Sequence, residues 1–322
     1  MKKKIYILIA FLLATFNIFA AEIVTPYKQL VADDAVNDIV VRDGLVVAGT
    51  EHGSLIRFEL ASGKAQTLLT LPKIKDFMGD MMNDKIFTVD YIEGRYLIHS
   101  DSGEGGFSDI YLFEEGKLKK LIGADSRLAI IKARFIDKDH ILFADLGSVL
   151  YLYDIPKKKI IFSKAVSGSK FSDFALRKSR KQVVVGGESG VLRVVDVKSA
   201  KVLRKIEKLH LDNVFSVAFS ADIISAGGQD RRGSYYDLKS GRGDYIKGKF
   251  LVYATAISPK GKYIAYALEP DNSITVFERD GMHKRYLLKG QKSILTAIRF
   301  VDENTLVSSS HDDTIMVWKL KK

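Results

Sequence analysis

The sequence predicts an all-β chain folded as a seven-bladed propeller. Three observations predict it. A strand–turn–strand pattern recurs about every 41 residues, and its clearest copy is Leu306-Val307-Ser308-Ser309-Ser310-His311-Asp312-Asp313-Thr314-Ile315-Met316-Val317-Trp318. The recurring segments alternate and favour β-branched and aromatic residues, as in Val149–Asp154 and Val191–Asp196. After residue 21 no stretch keeps a helical period. A repeat of this length, with four short strands per unit, is the signature of propeller blades.

The aromatic or apolar residue closing each third strand marks the register: Phe58, Ile98, Tyr153, Val195, Tyr236, Phe277 and Trp318. Their spacings are 40, 55, 42, 41, 41 and 41 residues, so seven blades account for residues 21–322 as a single domain. The 55-residue gap places an insertion at the Gly-rich stretch 99–108. Gly186-Gly187 and Gly227-Gly228 predict either close backbone approach or positive φ at turns.

The two ends of the chain fit together. The last copy stops after its third strand, at Trp318-Lys319-Leu320-Lys321-Lys322. Residues 22–31 precede the first blade and have no blade of their own, so they are expected to supply the outer strand of blade seven. Pro26 suits an outer strand, where a missing N–H is tolerated. Before them, Lys2-Lys3-Lys4, an apolar run from Ile5 to Phe16 and the small residues Ala20-Ala21 read as a signal peptide over residues 1–20.

These repeats resemble the WD-repeat (WD40) β-propeller family. The match is good from Ser308 to Trp318 and fair at Ser225–Asp230 with Tyr236-Asp237 and at Asp271–Phe277; Ser189 and Gly147 depart from it. The resemblance implies structural turn roles for His210, Asp230, Asp271, Asp312 and Trp318, with His210 bonded to Asp230. Leu209-His210 and Gly290-Gln291 stand where the family has Gly-His, so its His–Asp–Ser–Trp network is incomplete and apolar packing must compensate. The family's partners commonly use the face built by the second-to-third-strand turns. Carried over by position, the candidate partner-binding residues are Glu51, His52, Arg231, Arg232, His311 and Asp313, and Phe107 joins them from the insertion. Each could equally be a solvated turn, and Phe107 could simply begin the next strand.

Composition narrows the function. The chain has 47% hydrophobic residues and a formal charge of +11, or +8 once Lys2, Lys3 and Lys4 are removed with the leader. Export takes nucleic acid away as a partner. The lysines, as at Lys117-Lys119-Lys120 and Lys157-Lys158-Lys159, read as solvation of outer strands or as attraction to an acidic protein or anionic lipid. With no cysteine, disulfides and lipoprotein attachment are excluded, which fits a bacterial periplasm. No second run is apolar and long enough for a membrane helix.

Chemistry is not legible. The six histidines lie far apart, and neither a metal-ligand spacing nor a nucleophile elbow nor a phosphate loop occurs. Asp101, Ser102 and Glu104 lack the spacing of a calcium loop. The pairs Asp33-Asp34 and Asp312-Asp313 read as turns. We therefore expect no catalytic residues, metal or cofactor. The expected function is a monomeric, non-enzymatic periplasmic scaffold or accessory protein acting through protein partners. Its layout is similar to the exported accessory propellers of periplasmic nitrate reductase systems (NapL-like), which implies a reductase complex as partner. Two alternatives remain: a lactonase- or lyase-like enzyme or ligand-binding propeller with a site in the central channel, and an outer-membrane protein assembly partner.

Overall fold

The structure is a computed structural model describing residues 21–321. The proposed leader, residues 1–20, lies outside the described residues. Seven antiparallel meanders form the blades of a β-propeller. The innermost strands are Val36–Arg42, Ile86–Ile92, Ile130–Phe135, Phe171–Leu176, Val214–Ser220, Thr255–Ile257 and Leu295–Phe300, in order from blade one to blade seven. Each blade then runs outward strand by strand. The links between blades therefore emerge on the same face as the second-to-third-strand turns, called here the linker face. The remaining turns form the opposite face.

The core consists of seven apolar clusters, and each lies between two neighbouring blades. Phe135, Phe143 and Tyr153 pack against Leu97 and Leu112 between blades two and three. Trp318 and Leu306 of blade seven pack against Val276 and Ala265 of blade six. A blade alone would leave both its faces wet, so the ring is the unit that buries the apolar surface.

Residues 22–31 close the ring, though not as one strand. Lys28–Val31 pairs antiparallel with Thr314–Lys319 and completes blade seven as expected. Glu22–Val24 instead runs parallel to His283–Leu288 and adds a fifth strand to blade six. Pro26 sits in the crossover between the two rather than in an outer strand. Gly290 lies under it, and a Cβ there would come within 2.9 Å of the Pro26 ring. Val24 enters the apolar cluster between blades six and seven, and Leu30 the cluster between blades seven and one.

The register of blade two also needs correcting. Ile98 lies in the second strand, Arg95–Asp101, and the residue equivalent to Phe58 and Tyr153 is Phe113. Phe113 pairs with Tyr96 as Phe58 pairs with Val46 and Tyr153 with Ile141. The long gap thus precedes Phe113. Most of the extra residues form the link 71–85 between blades one and two, which contains the hairpin Ile74–Lys75/Met81–Met82. A smaller share enlarges the turn at residues 102–107. Ile98 misled because second and third strands are equally apolar.

The glycine pairs resolve in favour of close approach. Gly186, Gly187, Gly227 and Gly228 lie in or at the ends of second strands without positive φ. A Cβ on Gly227 would meet Val252 of the following link, with its carbonyl oxygen only 2.6 Å away.

Leu30 tests the seam. Leu30→Ala is expected to cost about 2–5 kcal/mol of unfolding free energy, read from urea denaturation, because the side chain is buried across the closure. Deleting residues 22–31 is expected to lower Tm further, and an unchanged melt would refute closure.

Candidate functional site

Two regions bring polar or exposed apolar side chains together: the linker face and the central channel. The linker face holds all the turn residues singled out in the sequence. Glu51 and His52 lie in the second-to-third-strand turn of blade one, Arg231 and Arg232 at that of blade five, and His311 and Asp313 at that of blade seven. They sit on separate blades around the rim and form no single cluster.

Their local roles differ. Arg231 is exposed, with φ 62°. Arg232 is drawn inward: its guanidinium stacks 3.9 Å from the Tyr245 ring centroid and donates to the Leu209 carbonyl at 3.1 Å. Glu51 forms an ion pair with Lys85 at 2.6 Å, and His52 lies 3.4 Å from the Asn83 amide. These two contacts fasten blade one to the end of the link 71–85. His311 and Asp313 are exposed. Phe107 is half-buried, folded over Gly105, and leads directly into the strand Ser108–Glu114.

The structural turn residues behave as bonded groups. His210 Nδ1 lies 3.1 Å from Asp230 Oδ1, and its Nε2 lies 2.8 Å from Ser234 Oγ. In blade seven, Trp318 Nε1 donates to Ser308 Oγ at 2.8 Å, and Ser308 Oγ donates to Gln291 Oε1 at 2.9 Å. Asp312 accepts the Thr314 N–H, and Asp271 accepts that of Ser273. Two partial networks therefore stand in two blades.

The linker-face hairpin at 74–82 was not anticipated from the sequence. Its tip is ordered by one carboxylate: Asp76 Oδ1 accepts the N–H groups of Met78 at 2.8 Å and Asp80 at 2.9 Å. Gly79 takes φ 92°, which closes the turn. The result presents Phe77 at 92% exposure and Met78 at 75%, with Met81 exposed beside them. At the base, Ile74 packs against Gly103 of the enlarged turn. The readable signal was an Asp76…Gly79 turn with the apolar residues Phe77 and Met78 inside it and Met81 and Met82 after it. Leu146, Leu211 and Ile294 add exposed apolar surface in turns and links of the same face. Among the described residues, the other large exposed apolar side chains lie on or beside the outermost strands, apart from Phe87 at the linker-face mouth of the channel.

The channel is lined by the innermost strands. Asp38 sits 2.7 Å from Arg134 and 3.3 Å from Arg299, and Lys132 pairs with Asp173 at 2.5 Å. Asp90 lies 3.9 Å from Arg42 and 3.6 Å from Arg180. Burial alone would raise the Asp38 pKa, but Arg134, Arg299 and Lys132 together hold it below the ordinary carboxylate value. For Asp90 burial wins over its arginines, and the pKa is raised. Burial likewise lowers that of Lys132 despite Asp173. His99, buried in blade two, is pushed by burial to about 3 and stays neutral. Among the described residues, no three His, Asp or Glu side chains converge as a metal site, and no helix is long and apolar enough to cross a membrane.

No family model matches the chain. It is similar to Protein tipD of Dictyostelium discoideum, at 25% identity over 117 residues. That match covers 35% of this chain and 19% of tipD, so it spans about a fifth of that protein's length.

Two predictions follow from these bonds. Ser308→Ala is expected to cost about 1–3 kcal/mol in denaturant titration, since it strands the buried Trp318 N–H. Asp84, buried at the base of the hairpin link, has its pKa raised to about 7 by burial and by Asp109 and Asp101, against Ser100 and Lys120. The folded chain therefore holds a proton there that the unfolded chain gives up above about pH 4, and stability declines as pH rises toward 7. Asp84→Asn is expected to melt above the parent at pH 8, with the difference closing toward pH 4; parallel melts across that range check it.

Proposed function

We propose that this chain is a non-enzymatic scaffold that docks a protein partner on its linker face. The observation behind this reading is the ordered hairpin tip, which holds Phe77 and Met78 out in water. Exposed aromatic and methionine side chains are costly to leave solvated and are frequent interface anchors. Here the Asp76 carboxylate has already fixed their backbone, so docking would order few further residues. Leu146 and Leu211 add exposed apolar side chains elsewhere on that face, and Arg231, His311 and Asp313 add exposed polar ones.

The leader-like N-terminus and the lack of cysteine support export to a bacterial periplasm. The similarity in layout to the NapL-like accessory propellers makes a periplasmic reductase complex the first partner to try. Under this reading the channel is not a catalytic centre.

The test is capture of tagged protein from native periplasm, comparing the parent with a Phe77→Asp/Met78→Asp double variant. A defined complex retained by the parent and lost by the double variant is the expected result. Both side chains are exposed, so the melt of the double variant should match the parent and exclude misfolding as the cause. Equal recovery from both proteins would remove the hairpin from the interface.

A further inference from the structure

The central channel carries more cationic than anionic groups, and they are not spread evenly along it. It consists of two chambers that share Lys132, Arg134 and Arg299. The chamber under the linker face is small, about 140 Å³, and holds the paired Asp38 and Asp173. The chamber toward the opposite face is larger, about 450 Å³. Six cationic side chains line it: Arg42, Lys132, Arg134, Lys178, Arg180 and Arg299. Asp90 is the one carboxylate in that lining. The ion pairs at the shared waist form its floor, and the turns bearing Lys178, Arg180 and Pro259 form its mouth.

The walls between these charges are apolar. Leu176, Phe219, Ile257 and Phe300 contribute them from four different blades. A cavity of a few hundred Å³ with apolar walls and convergent charges is the usual form of a small-molecule site. Water screens surface lysines, but a recessed chamber focuses the field of its cations. Asp38 and Asp173 neutralise only part of the shared charge. Asp90 serves two arginines at once, Arg42 and Arg180, while also accepting the Phe135 N–H.

We propose that the larger chamber binds a small organic anion, one bearing a phosphate or carboxylate group on an apolar body. The anionic group would meet Arg299, Arg134 and Lys132 at the floor, and the body would lie along Leu176, Phe219 and Phe300. Entry is from the face opposite the hairpin, so ligand and protein partner would not compete for one surface. The proposal stands independently of the scaffold reading.

The experiment is calorimetric titration of the purified protein with phenyl phosphate and with inorganic phosphate. The expected result is one phenyl phosphate per chain, bound more tightly than inorganic phosphate and weakened by added salt. An Arg299→Gln/Lys178→Gln double variant, which removes one floor cation and one mouth cation, should bind about tenfold more weakly or worse, a change of about 1.4 kcal/mol. Asp38 keeps Arg134 in that variant, and Lys178 is exposed, so the fold should survive. Should the double variant melt early, Lys178→Gln alone gives the same comparison. A Lys157→Gln/Lys159→Gln control on the outer surface should bind as the parent does. Absence of heat with phenyl phosphate would overturn the proposal. So would equal affinities for the two probes, unchanged affinity in the channel variants, or equal loss in the surface control.

Discussion

Closure of the ring is the constraint on which the rest depends. Every apolar cluster lies between two blades, so opening any one interface wets the inner faces of both neighbours. The seam between blades seven and one is where chain connectivity cannot help. It is held by Lys28–Val31 on Thr314–Lys319, by the Val36 N–H to Asp312 O bond at 3.0 Å, and by Thr296 Oγ1 to Val36 O at 2.9 Å. The same N-terminal segment then reaches blade six through Glu22–Val24. One short stretch of chain thus clamps two consecutive blades, and the two pairings bury Val24 and Leu30 in different cores. Loop-closure entropy explains why this is effective: tying the first residues to the last constrains the whole chain at a cost that grows only logarithmically with its length.

The channel chemistry follows from the same geometry. Blades converge at the axis, and innermost strands there have no sheet neighbour on their inner side. Their free backbone N–H groups need acceptors. Carboxylates of the preceding blade supply several: Asp38 accepts from Val89, Asp90 from Phe135 and Asp173 from Val217. Each buried carboxylate then requires a cation: Lys132 serves Asp173, and arginines serve Asp38 and Asp90 with donors left over for carbonyls, as Arg42 does at Tyr91 and Arg180 at Phe135. The stitching that joins blades is thereby also what charges the axis.

The fold was legible because it is periodic. Strand alternation and a repeat near 41 residues give seven blades without any hydrogen bond being known, and the missing outer strand of blade seven pointed to residues 22–31. The errors came where periodicity breaks. Ile98 and Phe113 are both apolar strand residues of blade two, and only pairing distinguishes them. A parallel fifth strand at Glu22–Val24 leaves no pattern in a three-residue segment. The site was much less legible. His210 and Asp230 lie 3.1 Å apart across 20 residues of sequence, a pairing that the family resemblance implied and no local spacing rule would give. Arg231 and Arg232 looked equivalent in sequence, yet one is solvated and the other stacks on Tyr245. Asp38, Arg134 and Arg299 come from three blades spread over most of the chain, and no spacing rule links them.

Why the exposed apolar residues carried by turns and links lie on the linker face has a structural answer. Opposite-face turns are short and carry the left-handed residues and the glycines that tight hairpins need, as at Asp43-Gly44, Glu93-Gly94 and Glu115-Gly116. They leave little room for a projecting element. Linker-face segments span from the outermost strand of one blade to the innermost strand of the next, so they are longer and can take extra residues without disturbing a sheet. The link 71–85 uses that freedom to build a hairpin whose base is fixed by Glu51–Lys85 and by Ile74 against Gly103, and whose tip is fixed by Asp76. A merely tolerated insertion has no need of an ordered tip. Here the ordered tip presents Phe77 and Met78 to water, and the proposed partner surface would remove them from it.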